Sequence, residues 1–132
     1  MAKILVADDD DLLGELVRFK LDQGGHQVET AEDGETALKK AREGGFDLVV
    51  LDAMMPVMSG FAVLEALRAE AATSALPIVM LTSRRAQEDV VNALKAGAND
   101  YVTKPFIPDE LVARVDAILQ KTGRKETATP DS

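Results

Sequence analysis

Residues Asp47 to Gly60 read DLVVLDAMMPVMSG, an apolar run that ends on a single carboxylate, Asp52, which the pattern leaves exposed. Leu48 to Leu51 has the length and β-branched content of a strand buried on both faces, the kind found in a parallel sheet covered by helices. In such sheets the carboxyl ends of the strands line the ligand crevice, and Asp52 stands at that end. Met55-Pro56 then imposes a turn, because proline can neither continue the strand nor sit in a regular helix interior there. Gly60 precedes the helical pattern of Phe61, Leu64 and Leu67. A carboxylate at a strand end can equally be a cap or a buried structural group, and Asp52 alone does not decide between these roles.

The rest of the chain repeats the alternation. Lys3 to Ala7 (KILVA) reads as a first strand, and Leu12, Leu13, Leu16, Val17 and Phe19 recur at helical spacing until Gly24-Gly25 ends the helix. His26 to Ala31 reads as a second strand. Asp33 then caps a helix faced by Ala37, Leu38 and Ala41 and closed by Gly44-Gly45. Pro77 to Leu81 is a fourth strand leading to Thr82, and a fourth helix with a thin apolar face (Val90, Ala93, Leu94) spans 86–95. Asn99 to Thr103 is a fifth strand, and Pro108, Asp109 and Glu110 open a last helix faced by Leu111, Val115, Ile118 and Leu119. Five βα units with right-handed crossovers give a doubly wound α/β fold with a parallel five-stranded sheet.

Composition narrows the function. A chain of 132 residues with 46% hydrophobic residues fits one domain, expected over 1–121, with 122–132 as a flexible tail or the start of a linker. No Cys is present, which excludes disulfides and thiolate chemistry. No stretch approaches a membrane span and no secretory signal is evident, so a cytoplasmic domain is expected. A net charge of −8 argues against direct contact with nucleic acid, whose phosphates need a basic footprint.

The topology brings polar residues from the strand ends to one edge: Asp8 and Asp9 from the first strand, Asp52 from the third, Thr82 from the fourth and Lys104 from the fifth. Three clustered carboxylates repel one another, so the ionised set calls for a cation. Oxygen ligands favour Mg²⁺, with Mn²⁺ the alternative, and Ca²⁺ would want more of them. A lysine beside a metal then implies a further anion, and a phosphoryl group fits, with Thr82 and Lys104 each pairing one of its oxygens and Asp52 as the nucleophile. Asp10 and Asp11 read as a helix cap and a first-turn acid, and His26 as a solvated side chain remote from the site. Met54, Met55 and Met58 read as loop packing, and Arg84 as a solvated side chain that could alternatively hang over the phosphoryl group.

Four motifs, ADDDD (7–11), LDAMMPVMSG (51–60), MLTSR (80–84) and GANDYVTKPF (97–106), resemble those of the receiver domain of bacterial response regulators in order and spacing, over Lys3 to about Lys121. The resemblance implies a flavodoxin-like sheet of order 2-1-3-4-5. It implies that Asp52 takes a phosphoryl group from the phosphohistidine of a sensor histidine kinase or phosphotransfer protein. It implies that Asp9, Asp52 and the backbone carbonyl of Met54 hold Mg²⁺, with Asp8 acting through water. Lys104-Pro105 is expected to be cis, and Thr82 and Tyr101 to form a switch pair that reshapes the surface of the fourth helix, fifth strand and last helix. Such a domain is a switch with self-catalysed phosphotransfer and dephosphorylation, not a turnover enzyme, and its output is binding to a downstream effector or a fused output domain. Asn99-Asp100 and Val90 depart from the pattern of regulators that dimerise through that surface, so a monomer and a phosphorylation-dependent dimer both stay open, with Glu110, Asp100 and Arg114 free for partner contacts. Competing functions fit less well. An aspartyl phosphatase needs a second carboxylate where Met54 stands, and a nucleotide or flavin binder needs a glycine-rich loop where the Asp8 to Asp11 acids lie. An interaction module that ignores phosphate would have no use for the full set of site residues.

Overall fold

The structure is a computed structural model that describes residues 2–83, 91 and 94–122. Its elements in order are β1 (Lys3–Ala7), α1 (Asp11–Gln23), β2 (Gln27–Ala31), α2 (Gly34–Glu43), β3 (Leu48–Asp52), α3 (Gly60–Ala69), β4 (Ile78–Ser83), β5 (Asp100–Lys104) and α4 (Pro108–Thr122). The strands are parallel and ordered β2-β1-β3-β4-β5, as the motifs imply. The fourth helix read over 86–95 falls largely outside the described residues, as do Arg84, Val90 and the tail from 123. Among the described residues no helix is long and apolar enough to cross a membrane.

The continuous apolar runs work because a strand sends alternate side chains to opposite faces. Leu5, Val49, Leu51, Ile78 and Met80 pack on one side with Ala37, Leu38, Ala41, Val63, Leu64 and Leu67 of α2 and α3. Their neighbours Ile4, Val6, Leu48, Val50, Val79 and Leu81 pack on the other with Val17, Leu21, Leu111, Val115 and Leu119 of α1 and α4. Each buried Val, Leu, Ile or Met side chain among these contributes roughly 1.5–3 kcal/mol on burial.

Two side-chain expectations are corrected. In α1 only Val17 and Leu21 are buried together with Gly14, while Leu12, Leu16 and Phe19 are exposed. The helix is apolar around more than one stripe, and the stripe chosen by the sheet is the one that Leu21 extends. His26 is not solvated but 3% exposed, and it lies just before β2. The Ala2 N–H donates to its Nδ1 at 3.2 Å, and its Nε2 lies 3.0 Å from Asp116 Oδ1. Because Nδ1 accepts, the ring proton sits on Nε2 and donates to Asp116, tying α4 to the start of the chain. His26→Ala strands the buried Ala2 N–H and is expected to cost about 1–3 kcal/mol in urea unfolding. An unchanged midpoint would show the ring to be dispensable.

Candidate functional site

β1 ends at Ala7, and the Asp8 N–H is held by the Ala31 carbonyl of neighbouring β2 at 3.0 Å. Asp8 Oδ1 accepts the Asp10 N–H at 2.9 Å, and Asp10 Oδ1 in turn caps α1 by accepting the Leu13 N–H at 3.1 Å. Asp10 is thus the helix cap and Asp11 the first-turn acid, as expected for an extended Asp before a helical run. β3 delivers Asp52 opposite Leu81 of β4, and β4 pairs Thr82 with Thr103 one step short of Lys104. Parallel register therefore puts Asp8, Asp52, Thr82 and Lys104 at one edge.

Asp52 is not exposed: it keeps only 5% of its surface, and Asp8 keeps 4%. Asp52 Oδ1 accepts the Met54 N–H at 3.1 Å, and Oδ2 lies 2.9 Å from Lys104 Nζ. The same ammonium stands 3.2 Å from Asp8 Oδ2. Lys104-Pro105 is cis. One carboxylate oxygen from each of Asp8, Asp9 and Asp52 falls within 4.8 Å of the others, with Asp9 on the exposed side.

Burial pushes the Asp52 carboxyl up to about 6, helped by the charge of Asp8 and opposed by Lys104 and the Met54 N–H. Burial pulls the Lys104 ammonium down, but its hydrogen bond to Asp52 and the charges of Asp52 and Asp8 outweigh that and hold it above its ordinary value. Among the described residues, Lys104 is the cation that faces these two buried carboxylates.

Two buried polar atoms at the edge have no hydrogen-bond partner among the described residues, Thr82 Oγ1 and Asp8 Oδ2, the latter meeting Lys104 only as an ion pair. Buried polar groups are seldom left so, and each has a chemical counterpart here. A hard cation or its water fits the carboxylate oxygen, and an acceptor such as a phosphoryl oxygen fits the hydroxyl. The donor set of carboxylates with no thiol or histidine fits Mg²⁺ or Mn²⁺.

The family is read from this edge together with the whole chain. A sequence profile of the response regulator receiver domain matches residues 4–116. The receiver domain of a Francisella response regulator superposes with a TM-score of 0.85 at 34% identity, covering 92% of this chain and 99% of that one. The chain is a response regulator receiver domain.

Among curated relatives, the Bacillus subtilis alkaline phosphatase synthesis transcriptional regulatory protein PhoP is 46% identical over 98% of this receiver domain. The Klebsiella pneumoniae phosphate regulon transcriptional regulatory protein PhoB is 44% identical over 90% of it. The receiver domain spans about half of either relative, 52% in both cases.

Other residues singled out from the sequence sort differently. Tyr101 is half-buried against the α2/α3 side of the core together with Ala96 and Ala98. Met55 and Met58 pack on the same core, whereas Met54 is 68% exposed. Arg114 is exposed and pairs within the chain, Nη1 meeting Asp100 at 3.1 Å and Nη2 meeting Glu110 at 3.4 Å. Gly34, Val57 and Gly60 carry no functional signal in the sequence, yet they set the path of the loop that follows Asp52. Gly34 and Gly60 have no room for a side chain, and Val57 stands at φ 70.

Proposed function

We propose that the domain is a phosphorylation switch in which Asp52 accepts the phosphoryl group of a partner's phosphohistidine. The observation that carries the reading is the Asp52 carboxylate itself, buried, 2.9 Å from Lys104 and clustered with Asp8 and Asp9 at the edge where the Thr82 hydroxyl has no hydrogen-bond partner among the described residues. Asp52 Oδ attacks phosphorus as the P–N bond to the imidazole breaks, and the bonding pair stays on the imidazole nitrogen. Lys104 Nζ leaves its carboxylate partners to pair with a phosphoryl oxygen, and Thr82 Oγ1 donates to another. Met54 N–H holds the attacking carboxylate in place through its Oδ1. Asp9, Asp52 and the Met54 carbonyl would hold Mg²⁺ or Mn²⁺, with Asp8 through water, and the ion's charge offsets the repulsion between an anionic nucleophile and an anionic phosphoryl group. Water attack on the acyl phosphate returns Asp52 to its carboxylate and limits the signal's lifetime.

In the same reading Thr82 and Tyr101 form the switch pair, and the surface of residues 86–95, β5 and α4 carries the output to an effector or a fused output domain. Residues 1–121 form the receiver unit and 122–132 a tail or the start of a linker, in the cytoplasm, as a monomer or a phosphorylation-dependent dimer with no nucleic-acid contact of its own. The half-length match to two transcriptional regulatory proteins supports an output domain in the full regulator.

Incubation with a small phosphodonor such as phosphoramidate, with and without Mg²⁺, tests the acceptor role by intact mass. The expected result is one added phosphoryl group that requires the metal and is absent from Asp52→Asn. Labelling that survives chelation or the substitution sinks the reading.

A further inference from the structure

The loop from Ala53 to Ser59 is pinned to the rest of the domain at two places where a glycine lets backbone meet backbone. At its root the Gly60 N–H donates to the Ala53 carbonyl at 3.0 Å, and a Cβ on Gly60 would collide with the Asp52 carbonyl. At its tip the Gly34 N–H, the first of α2, donates to the Pro56 carbonyl at 3.4 Å, and a Cβ on Gly34 would collide with the Met58 carbonyl. Between Pro56 and Met58 the chain reverses in a single residue. The Met58 N–H donates to the Pro56 carbonyl at 2.7 Å across Val57, whose φ is 70. An i to i+2 hydrogen bond about a residue of positive φ is the rare, strained form of γ-turn. A β-branched residue is among the worst placed to adopt it. Glycine or asparagine would make the turn with far less strain, and Val57 is 75% exposed, so burial of its own side chain does not compensate.

We propose that Val57 is the yielding point of the acceptor loop, and that loading of Asp52 is passed through this turn to the N-terminus of α2. The coupling rests on Asp52 being the loaded group, and it is mechanical. Asp52 Oδ1 is bonded to the Met54 N–H, so any rearrangement of that carboxylate pulls on Met54. Gly60 holds the loop at Ala53, and Pro56 has a fixed φ, which leaves Val57 as the residue already displaced from its preferred backbone basin. Strained backbone of this kind lends itself to two discrete arrangements, and small shifts are amplified where packing is bistable. Both carbonyls that flank Val57 rest on Gly34, so a change in the turn reaches α2 directly. α2 thereby reports the state of the site on the side of the sheet away from α1 and α4.

The test is backbone amide NMR of the receiver domain titrated with Mg²⁺ and beryllofluoride, comparing the parent with Val57→Asn and, as a second relief of strain, Val57→Gly. In the parent, loading is expected to shift Ala53 and Met54 and also Gly34, Glu35 and Thr36. In Val57→Asn the first pair still shifts, the α2 set responds by about twofold less or weaker, and the denaturation midpoint rises because the strain is gone. Silence of α2 in the parent while Met54 responds overturns the proposal. So does an α2 response of full size in both variants, or a lowered midpoint in both. If Ala53 and Met54 are themselves silent in the parent, it is the acceptor role of Asp52 that fails, and the transmission through Val57 falls with it.

Discussion

In metal-free buffer near neutral pH, Asp52→Asn is expected to be more stable than the parent domain by about 1–3 kcal/mol, although the same change removes the proposed acceptor. The carboxyl of Asp52 is raised from 3.8 to about 6, first by burial and then by the charge of Asp8. A carboxyl whose folded value exceeds its unfolded value stabilises the protonated protein. That contribution is fully present below pH 3.8 and is lost as pH rises through about 6, because ionisation is then easier in the unfolded chain. A rise of this size corresponds to about 3 kcal/mol of cost at pH 7.5 as an upper figure. Two losses reduce the gain in the variant. Lys104 gives up one of its two carboxylate partners, and the asparagine can present only one oxygen where Met54 N–H and Lys104 both seek one. Lys104 can turn wholly to Asp8, 3.2 Å away, so the balance still favours the variant. Urea unfolding across pH 5 to 8 checks the sign: the parent gains stability on acidification toward about 5 relative to Asp52→Asn, and the gap between them narrows. Millimolar Mg²⁺ should narrow the neutral-pH gap from the other side, since only the parent keeps the full proposed ligand set. A variant less stable than the parent at neutral pH, or a gap independent of pH, would show that burial does not tax this carboxylate.

The same contrast between what a residue is and where it is put governs how much of the molecule could be read beforehand. Strands that are apolar at every position, such as Leu48 to Leu51, announce burial on both faces, and strand ends are few enough that Asp8, Asp9, Asp52, Thr82 and Lys104 could be gathered from spacing and motif. The cap at Asp10 was legible because its partner is three residues away. Properties set by remote partners were not. His26 owes its burial to Ala2 and to Asp116, 24 and 90 positions distant, and nothing local distinguishes it from a solvated histidine. Leu12, Leu16 and Phe19 obey helical spacing as well as Val17 and Leu21 do, and only the docked sheet decides which stripe is covered. The depth of Asp52 escaped for a related reason, since groups remote in sequence, Lys104 and Asp8, stand against it. Val57 is the extreme case. Its own preference opposes the conformation it adopts, in a turn whose flanking carbonyls lie against the glycine of another helix.

Gly60→Ala is expected to unfold the domain at markedly lower denaturant, by about 3 kcal/mol or more, and to abolish metal-dependent phosphoryl uptake in whatever fraction stays folded. Local preference argues the other way. Gly60 is the first residue of α3, after Ser59, whose hydroxyl accepts the Ala62 N–H at 3.2 Å, and its φ is not in the left-handed region. At an ordinary exposed helix position alanine would gain up to roughly 1 kcal/mol over glycine. Here a methyl group would lie 2.9 Å from the Asp52 carbonyl carbon and 3.0 Å from Ala53 Cα, with the Asp52 carbonyl oxygen closer still. All three are backbone atoms of a strand end buried on both sides, so none can swing away as a flexible side chain would. Either α3 lifts from the sheet, exposing Val63, Leu64 and Leu67, or the end of β3 moves and carries the Asp52 side chain with it. Both routes cost more than helix propensity returns. The second also displaces the carboxylate from Lys104 and from Asp8 and Asp9, where a misplacement of an ångström is enough to cost about a hundredfold in rate. Thermal or urea unfolding combined with phosphoramidate labelling of the folded fraction checks both effects, with Ala62→Gly as a control that weakens the same helix turn without touching β3. A Gly60→Ala domain of parental stability, or one that is labelled at the parental rate, would mean that the close approach of α3 to the acceptor strand is not what holds Asp52 in place.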